Sequence, residues 1–225
     1  VAALEGSDAA RAGINDAVNL SATGTADVSQ AQAIADATNS GDTTIAAVED
    51  NAANAASLDF SGDAANATVT LLALTDSATG DQAKSVFGFI GQGVVDLEPI
   101  TITGDANPAK TEILANYDLI AADGIAQLKL TDAETNTALT DHLAKYADGS
   151  ITMNESVSVS EEKALANLGK FATDGITGIS MTGSETSTAL ANNASQFADG
   201  SVTVEGDANL AKAEILANYE LIADG

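Results

Sequence analysis

From Ile100 onward the chain repeats itself every 51 residues without a gap, and this narrows the available folds more than any single motif. Ile100-Thr101-Ile102, Ile151-Thr152-Met153 and Val202-Thr203-Val204 open three equivalent segments. Leu114-Ala115-Asn116-Tyr117, Leu165-Ala166-Asn167-Leu168 and Leu216-Ala217-Asn218-Tyr219 recur further along the same register. A second segment type fills the intervals: Ile125 to Ser150 aligns with Ile176 to Ser201 and shares 11 of 26 residues. A fixed period of roughly 20–50 residues marks architectures in which a unit buries its apolar face only against its neighbours.

Each segment reads as strand, turn, helix, turn. The strands are short and β-branched: Ile100-Thr101-Ile102, Ile125 to Leu130, Ile151-Thr152-Met153, Ile176 to Met181 and Val202-Thr203-Val204. Helical spacing then links Ile113, Leu114, Tyr117, Ile120 and Ala121 in the first type. In the second type it links Leu139, Leu143, Tyr146 and Ala147, echoed by Leu190, Ala194, Phe197 and Ala198. Asn107-Pro108 offers a cap followed by a residue that needs no donor. Thr131-x-x-Glu134 and Thr182-x-x-Glu185 fit the reciprocal capping box. Asp-Gly pairs at 123, 148, 174, 199 and 224 are expected to end the helices. Strand–helix–strand order at this spacing predicts parallel neighbours. The fold class expected is therefore an α/β repeat solenoid, with short parallel β-strands on one side, short helices on the other and about 25 residues per coil. Residues 1–99 read as irregular N-terminal repeats or a cap, and residues 100–225 as the regular 51-residue double repeat.

Composition narrows the function classes. The chain has 33 acidic and 8 basic residues, a formal charge of −25, which repels phosphate backbones and anionic lipid. Neither nucleic-acid binding nor membrane insertion is expected, since no run of 18 apolar residues occurs. Cysteine is absent, which removes disulfides and thiolate metal sites. No basic n-region with an apolar h-region stands at the start of the sequence. Val1 at the start and Asp224-Gly225 at the end lead us to expect an excised stretch of a longer array.

The chemistry available points away from catalysis. His142 is the only histidine, no Gly-x-Ser-x-Gly elbow occurs, and chance pairing accounts for close carboxylates among so many acids. The chain is not expected to be an enzyme. Cation binding is the stronger candidate. Asp63, Asp105 and Asp207 follow strands, and Asp123, Asp148, Asp174 and Asp199 recur at the corners before the next strand. Stacked corners would set such carboxylates in rows, which suit Ca²⁺ with its six to eight oxygen ligands. The same residues are also what these turns require. Tyr117, Tyr146, Phe171, Phe197 and Tyr219 fall at matching positions and read as a core layer rather than a sugar-stacking ladder.

The run G-D-A-N-x-A-K-x-E-I-L-A-N-Y at Gly104 to Tyr117 and Gly206 to Tyr219 resembles strand–helix repeats of very large secreted or cell-surface bacterial proteins. The stretch G-S-E-T-S-T-A-L-A-N-N-A-S-Q-F-A-D-G-S-V-T-V at Gly183 to Val204 resembles the partner repeat of those arrays. The resemblance covers 100–225 well and 1–99 in patches. It implies an adhesin, surface-layer component or extracellular filament, associated with Ca²⁺ and located outside the cell. The expected function is thus a structural repeat protein of an extracellular assembly, with itself as partner in a homopolymer or lattice. The alternative is an extracellular module that binds polysaccharide or another ligand, with surface glycans as partner.

Overall fold

The structure, a computed structural model, describes residues 19–36 and 41–223. Among these residues nine β-strands and eight α-helices follow one another. The first stretch holds β1 (Leu20–Ala26), α1 (Val28–Ala35), β2 (Thr43–Asp50), α2 (Ala52–Ala55), β3 (Ala67–Leu74), α3 (Gly80–Gly88) and β4 (Val94–Leu97). The second holds β5 (Ile100–Asp105), α4 (Lys110–Ala115), β6 (Ile120–Leu130), α5 (Asp132–Asp141) and β7 (Ile151–Met153). The last holds α6 (Glu161–Ala166), β8 (Ile179–Thr182), α7 (Gly183–Asn193), β9 (Val202–Glu205) and α8 (Lys212–Ala217). The strands form three parallel sheets, ordered β1-β2-β3-β4, β5-β6-β7 and β8-β9. Two compact units result, one within residues 1–103 and 108–121, the other within 104–107 and 122–225.

In the first unit, alternation puts β-branched and leucine side chains in register across the sheet. Ile45 lies beside Val69 and Val69 beside Val94, while Val48 lies beside Leu72 and Leu72 beside Leu97. All six are essentially inaccessible to water. The helices meet this sheet with small or branched residues: Val28, Ala31, Ile34 and Ala35 on α1, and Ala83, Val86 and Phe87 on α3. Both helices start with a capping box, Asp27 with Gln30 and Thr79 with Gln82. Phe60 and Phe89 meet edge to face at 5.8 Å.

In the second unit Leu128 pairs Ile151 and Leu130 pairs Met153, while Ile179 pairs Val202 and Met181 pairs Val204. After each helix comes one turn of 3-10 helix and then a single extended residue. Tyr146, Phe171, Phe197 and Ile222 hold that position and bridge in parallel to Ile125, Ile151, Ile176 and Val202. The three aromatic rings are fully buried there.

These observations correct the expected solenoid. One ribbon of strands backed by one row of helices is not formed. The strands fall into sheets of four, three and two, so the fold is α/β with small parallel sheets. Two local causes are visible. Glu98-Pro99 joins β4 to β5 with no helix between them, and parallel neighbours need such a crossover. Between β7 and β8, the N–H groups of Ser158, Val159 and Ser160 all donate to the Asp132 carboxylate, so no ladder forms beyond the lone Val157–Ile179 bridge.

The helix boundaries also differ from expectation. The capping boxes of Thr131 with Glu134 and Thr182 with Glu185 are present. The helices stop well before the Asp-Gly pairs, however. Asn116, Asn167 and Asn218 end α4, α6 and α8, each donating Nδ2 to the carbonyl four residues back at 2.8–2.9 Å. Ile120 and Ala121, expected on a helix stripe, open strand β6. The Asp224-Gly225 pair lies outside the described residues.

Candidate functional site

The Asp-Gly corners come in two conformations. Before Ser150 and Ser201 it is Gly149 and Gly200 that take positive φ, 72° and 66°. Before Ile125 and Ile176 the aspartates do so instead, Asp123 at 49° and Asp174 at 54°. A Cβ on Gly175 would stand 2.7 Å from the carbonyl oxygens of Ala172 and Ile151, so that glycine serves close backbone approach.

Lys170 brings two of these corners together. Its Nζ donates to Tyr146 O at 2.7 Å and lies 3.0 Å from Asp148 Oδ1 and 3.4 Å from Asp123 Oδ1. Burial alone would push the ammonium pKa down, but the Asp148 and Asp123 carboxylates outweigh it and hold it above the usual lysine value. The chain's own cation therefore stands where the sequence reading set a row of Ca²⁺ ligands. The residue one period after Lys170 is Leu221, so Asp174 and Asp199 receive no equivalent lysine. Asp105 and Asp207 each shape a turn: Asp105 accepts from Asn107 N at 2.9 Å and from Asn107 Nδ2, and Asp207 from Asn209 N and Nδ2 at 3.0 and 2.8 Å. Asn107 Oδ1 accepts from Lys129 N at 2.9 Å, so it fixes that turn rather than capping a helix. The Asp63 side chain lies outside what the structure describes. Among the described residues no group of three or more His, Cys, Asp or Glu is placed to hold a metal ion.

The most perturbed carboxylate is one that sequence reasoning missed. Asp132, the first residue of α5, is 6% exposed. Its Oδ2 accepts from Ser158 N, Ser158 Oγ and Val159 N at 3.0, 2.7 and 2.6 Å, and its Oδ1 from Ser160 N and Ser160 Oγ at 2.9 and 2.6 Å. Burial pushes its pKa up, but the Ser160 and Ser158 hydroxyls with the Val159 and Ser160 N–H groups win and hold it far below the carboxylate range. One signal was present in the repeat. Ser158-Val159-Ser160 interrupts the Asn107-Pro108-Ala109 and Asn209-Leu210-Ala211 pattern, and Asp132 stands where Gly183 stands one period later. Acidic residues also serve helix starts across segments: Asp50 accepts from Val28 N, Asp76 from Ala52 N and Glu155 from Asp132 N. Close by, Glu161 is pushed above its usual pKa by burial first and then by the charges of Glu185 and Glu205.

The third surface is apolar. Tyr117 and Leu168 are 6% and 7% exposed, yet their equivalent Tyr219 is 70% exposed. Leu210 and Leu216 beside it are 64% and 68% exposed. The same shift affects Val204, Ala208, Ile215 and Ile222, whose equivalents Met153, Val157, Ala164 and Phe171 are buried. In the preceding repeat α7 covers this side, with Ser184, Glu185, Thr188 and Ala189 lining a cleft against Leu165 and Leu168. Comparison with protein-family models, with curated proteins and with solved structures finds no significant match.

Proposed function

We propose that this chain is a structural, self-associating component of an extracellular assembly such as a surface layer, filament or adhesin stalk. One observation carries the reading: Tyr219 is 70% exposed where its sequence equivalents Tyr117 and Leu168 are 6% and 7% exposed, and Leu210 and Leu216 of the same segment are exposed with it. Monomeric proteins rarely leave a cluster of large apolar side chains in water, and such a patch marks an interaction surface. The extracellular setting rests on the acid-rich, lysine-poor composition and on the resemblance to secreted repeat arrays. Calcium enters as a promoter of association, because two copies carrying −25 charges each repel until cations gather between them.

Negative-stain images and sedimentation velocity over a range of protein concentration, with and without millimolar CaCl₂, test this. Ordered polymers or layers are expected, at lower protein concentration when Ca²⁺ is present. A single monomeric species under every condition would sink the reading.

A further inference from the structure

We propose that the cleft between α6 and α7 docks a short extended segment of a basic partner polypeptide, with lysine or arginine beside its glutamates and leucine between the helices. This goes beyond the self-association reading and stands on a different part of the second unit. The cleft has two halves that meet at Leu165 and Glu185. One half, about 540 Å³, is lined by Glu161, Glu162 and Glu185. The other, about 280 Å³, lies between Leu165 and Leu168 on one wall and Thr188 and Ala189 on the other. The 51-residue repeat sets this lining apart from its equivalents. Lys110 and Lys212 stand where the middle segment carries Glu161, and Thr111 and Ala213 where it carries Glu162. Leu168 stands where Tyr117 and Tyr219 do, and its smaller side chain leaves the room a ring would take. The lysine of this segment, Lys163, is not on the cleft lining. The local acidity therefore belongs to this cleft as well as to the chain.

The occupant follows from what the lining can hold. Among the described residues no cation pairs with Glu161, Glu162 or Glu185. Burial first, and then the charges of Glu185 and Glu205, push the Glu161 carboxyl above its usual range, a strain that a bound cation relieves. A single metal ion does not match this charge, because among the described residues no three acidic or histidine side chains are placed around one point. Ser184, Glu185, Thr188 and Asn192 are exposed, so one long side of any occupant stays in water. A small-molecule site buries about 70–90% of its ligand, whereas a polypeptide segment tolerates an open side. Ser184, Thr188 and Asn192 line the cleft along a rise of about 12 Å on α7, the length of about four extended residues. Their hydroxyls and amide offer hydrogen bonds to the main chain of such a segment. In an extended segment, side chains two positions apart point the same way. A basic residue can thus reach Glu161 and Glu185 while a leucine enters the room beside Leu168.

The test titrates the whole 225-residue chain into a labelled peptide with the core Arg-Lys-Leu-Ser between Gly-Ser flanks, read by fluorescence anisotropy. Salt is held at about 0.15 M to damp long-range attraction. Sedimentation velocity follows self-association in parallel, so failure of that reading is seen separately. The wild-type chain is expected to prefer this peptide to one with the core Arg-Lys-Ser-Ser by about tenfold. Glu161→Lys, which restores the residue of the equivalent segments, is expected to weaken binding by about tenfold or more. Glu98→Lys changes the net charge equally at an exposed place in the first unit and is expected to cost less than about twofold. Leu168→Tyr is expected to erase the preference for leucine while the chain still folds by circular dichroism. Where it does not fold, Thr188→Phe blocks the same room from an exposed position. Equal losses from Glu161→Lys and Glu98→Lys would reduce binding to overall charge and overturn the site. A leucine preference that is absent, or that survives the variants filling the cleft, overturns the occupant. Displacement of the peptide by equimolar spermidine or CaCl₂ as readily as by unlabelled peptide overturns it too. No binding at millimolar chain concentration overturns the proposal outright.

Discussion

Asp132 shows how one side chain can redirect a backbone. Its carboxylate takes five donors from Ser158, Val159 and Ser160, and those donors are then lost to any neighbouring strand. Hydrogen bonds to a charged, buried acceptor are the strong kind, and removing the acceptor leaves three main-chain N–H groups in search of water. Asp132→Asn is therefore expected to cost about 2–3 kcal/mol in denaturant unfolding at pH 7. The pH dependence has a definite sign. The folded pKa lies below the unfolded value of about 3.9, so the contribution is complete above that value and declines as pH falls through and beyond it. The gap between wild type and Asp132→Asn should accordingly be widest near neutrality and shrink below about pH 4. A gap that stays constant down to strongly acid pH would show that the carboxylate's charge is not what the three residues recognise.

At the scale of elements, the two second-type helices start from the same capping box yet connect differently to the segments downstream of them. Asp132 opens α5 and reaches into Ser158–Ser160, whereas Gly183 opens α7 at the equivalent place. A Cβ on Gly183 would collide with Asp207 O and stand 3.3 Å from Leu210 Cβ, so the main chain after β9 lies directly on it. Gly183→Ala is expected to lower stability by about 2–3 kcal/mol, well beyond the few tenths that an exposed first-turn glycine would cost. A melting midpoint unchanged by Gly183→Ala would mean that this turn relaxes freely. The same pair explains what a sequence can and cannot disclose. Short β-branched runs such as Ile151-Thr152-Met153 and the two Thr-x-x-Glu boxes depend on residues within one turn of each other, and both are readable directly. The stops at Asn116, Asn167 and Asn218 are also local, but a side chain bonding its own carbonyl four residues back leaves only an Asn after Leu-Ala, which Asp-Gly overshadowed. Ile120 continues a helical period from Ile113 and Tyr117, so nothing nearby announces that a 3-10 turn at Tyr117–Leu119 delivers it to a strand instead. The break between sheets was hidden more deeply, because it depends on a carboxylate binding a backbone segment some 26 residues away. Period alone fixed equivalence between segments; it could not say whether equivalent strands would pair.

For the whole molecule the dominant fact is charge. With 33 acidic against 8 basic residues, most carboxylates have no cation of their own, and Lys170 can serve only Asp123 and Asp148. Capture of helix N–H groups by Asp50, Asp76 and Glu155 uses some of the rest without removing their charge. Folding gathers these charges, so repulsion opposes it over a range set by the ionic atmosphere, about 30 Å in 0.01 M salt and about 3 Å in 1 M. The melting midpoint is therefore expected to rise with NaCl, by several degrees if screening returns about 1–3 kcal/mol. The comparison that separates screening from binding is CaCl₂ against NaCl and MgCl₂ at equal ionic strength. If the corner carboxylates act only through the overall field, the three salts give curves that overlay once ionic strength is matched. If pairs without a lysine, such as Asp174 and Asp199, hold calcium, its curve departs at millimolar concentration and then rises with the logarithm of calcium concentration, because an ion bound only by the folded chain stabilises it by RT ln(1 + [Ca²⁺]/Kd). A midpoint that is flat or falls with added salt would contradict the premise of both outcomes, namely that unneutralised carboxylates limit the stability of this fold.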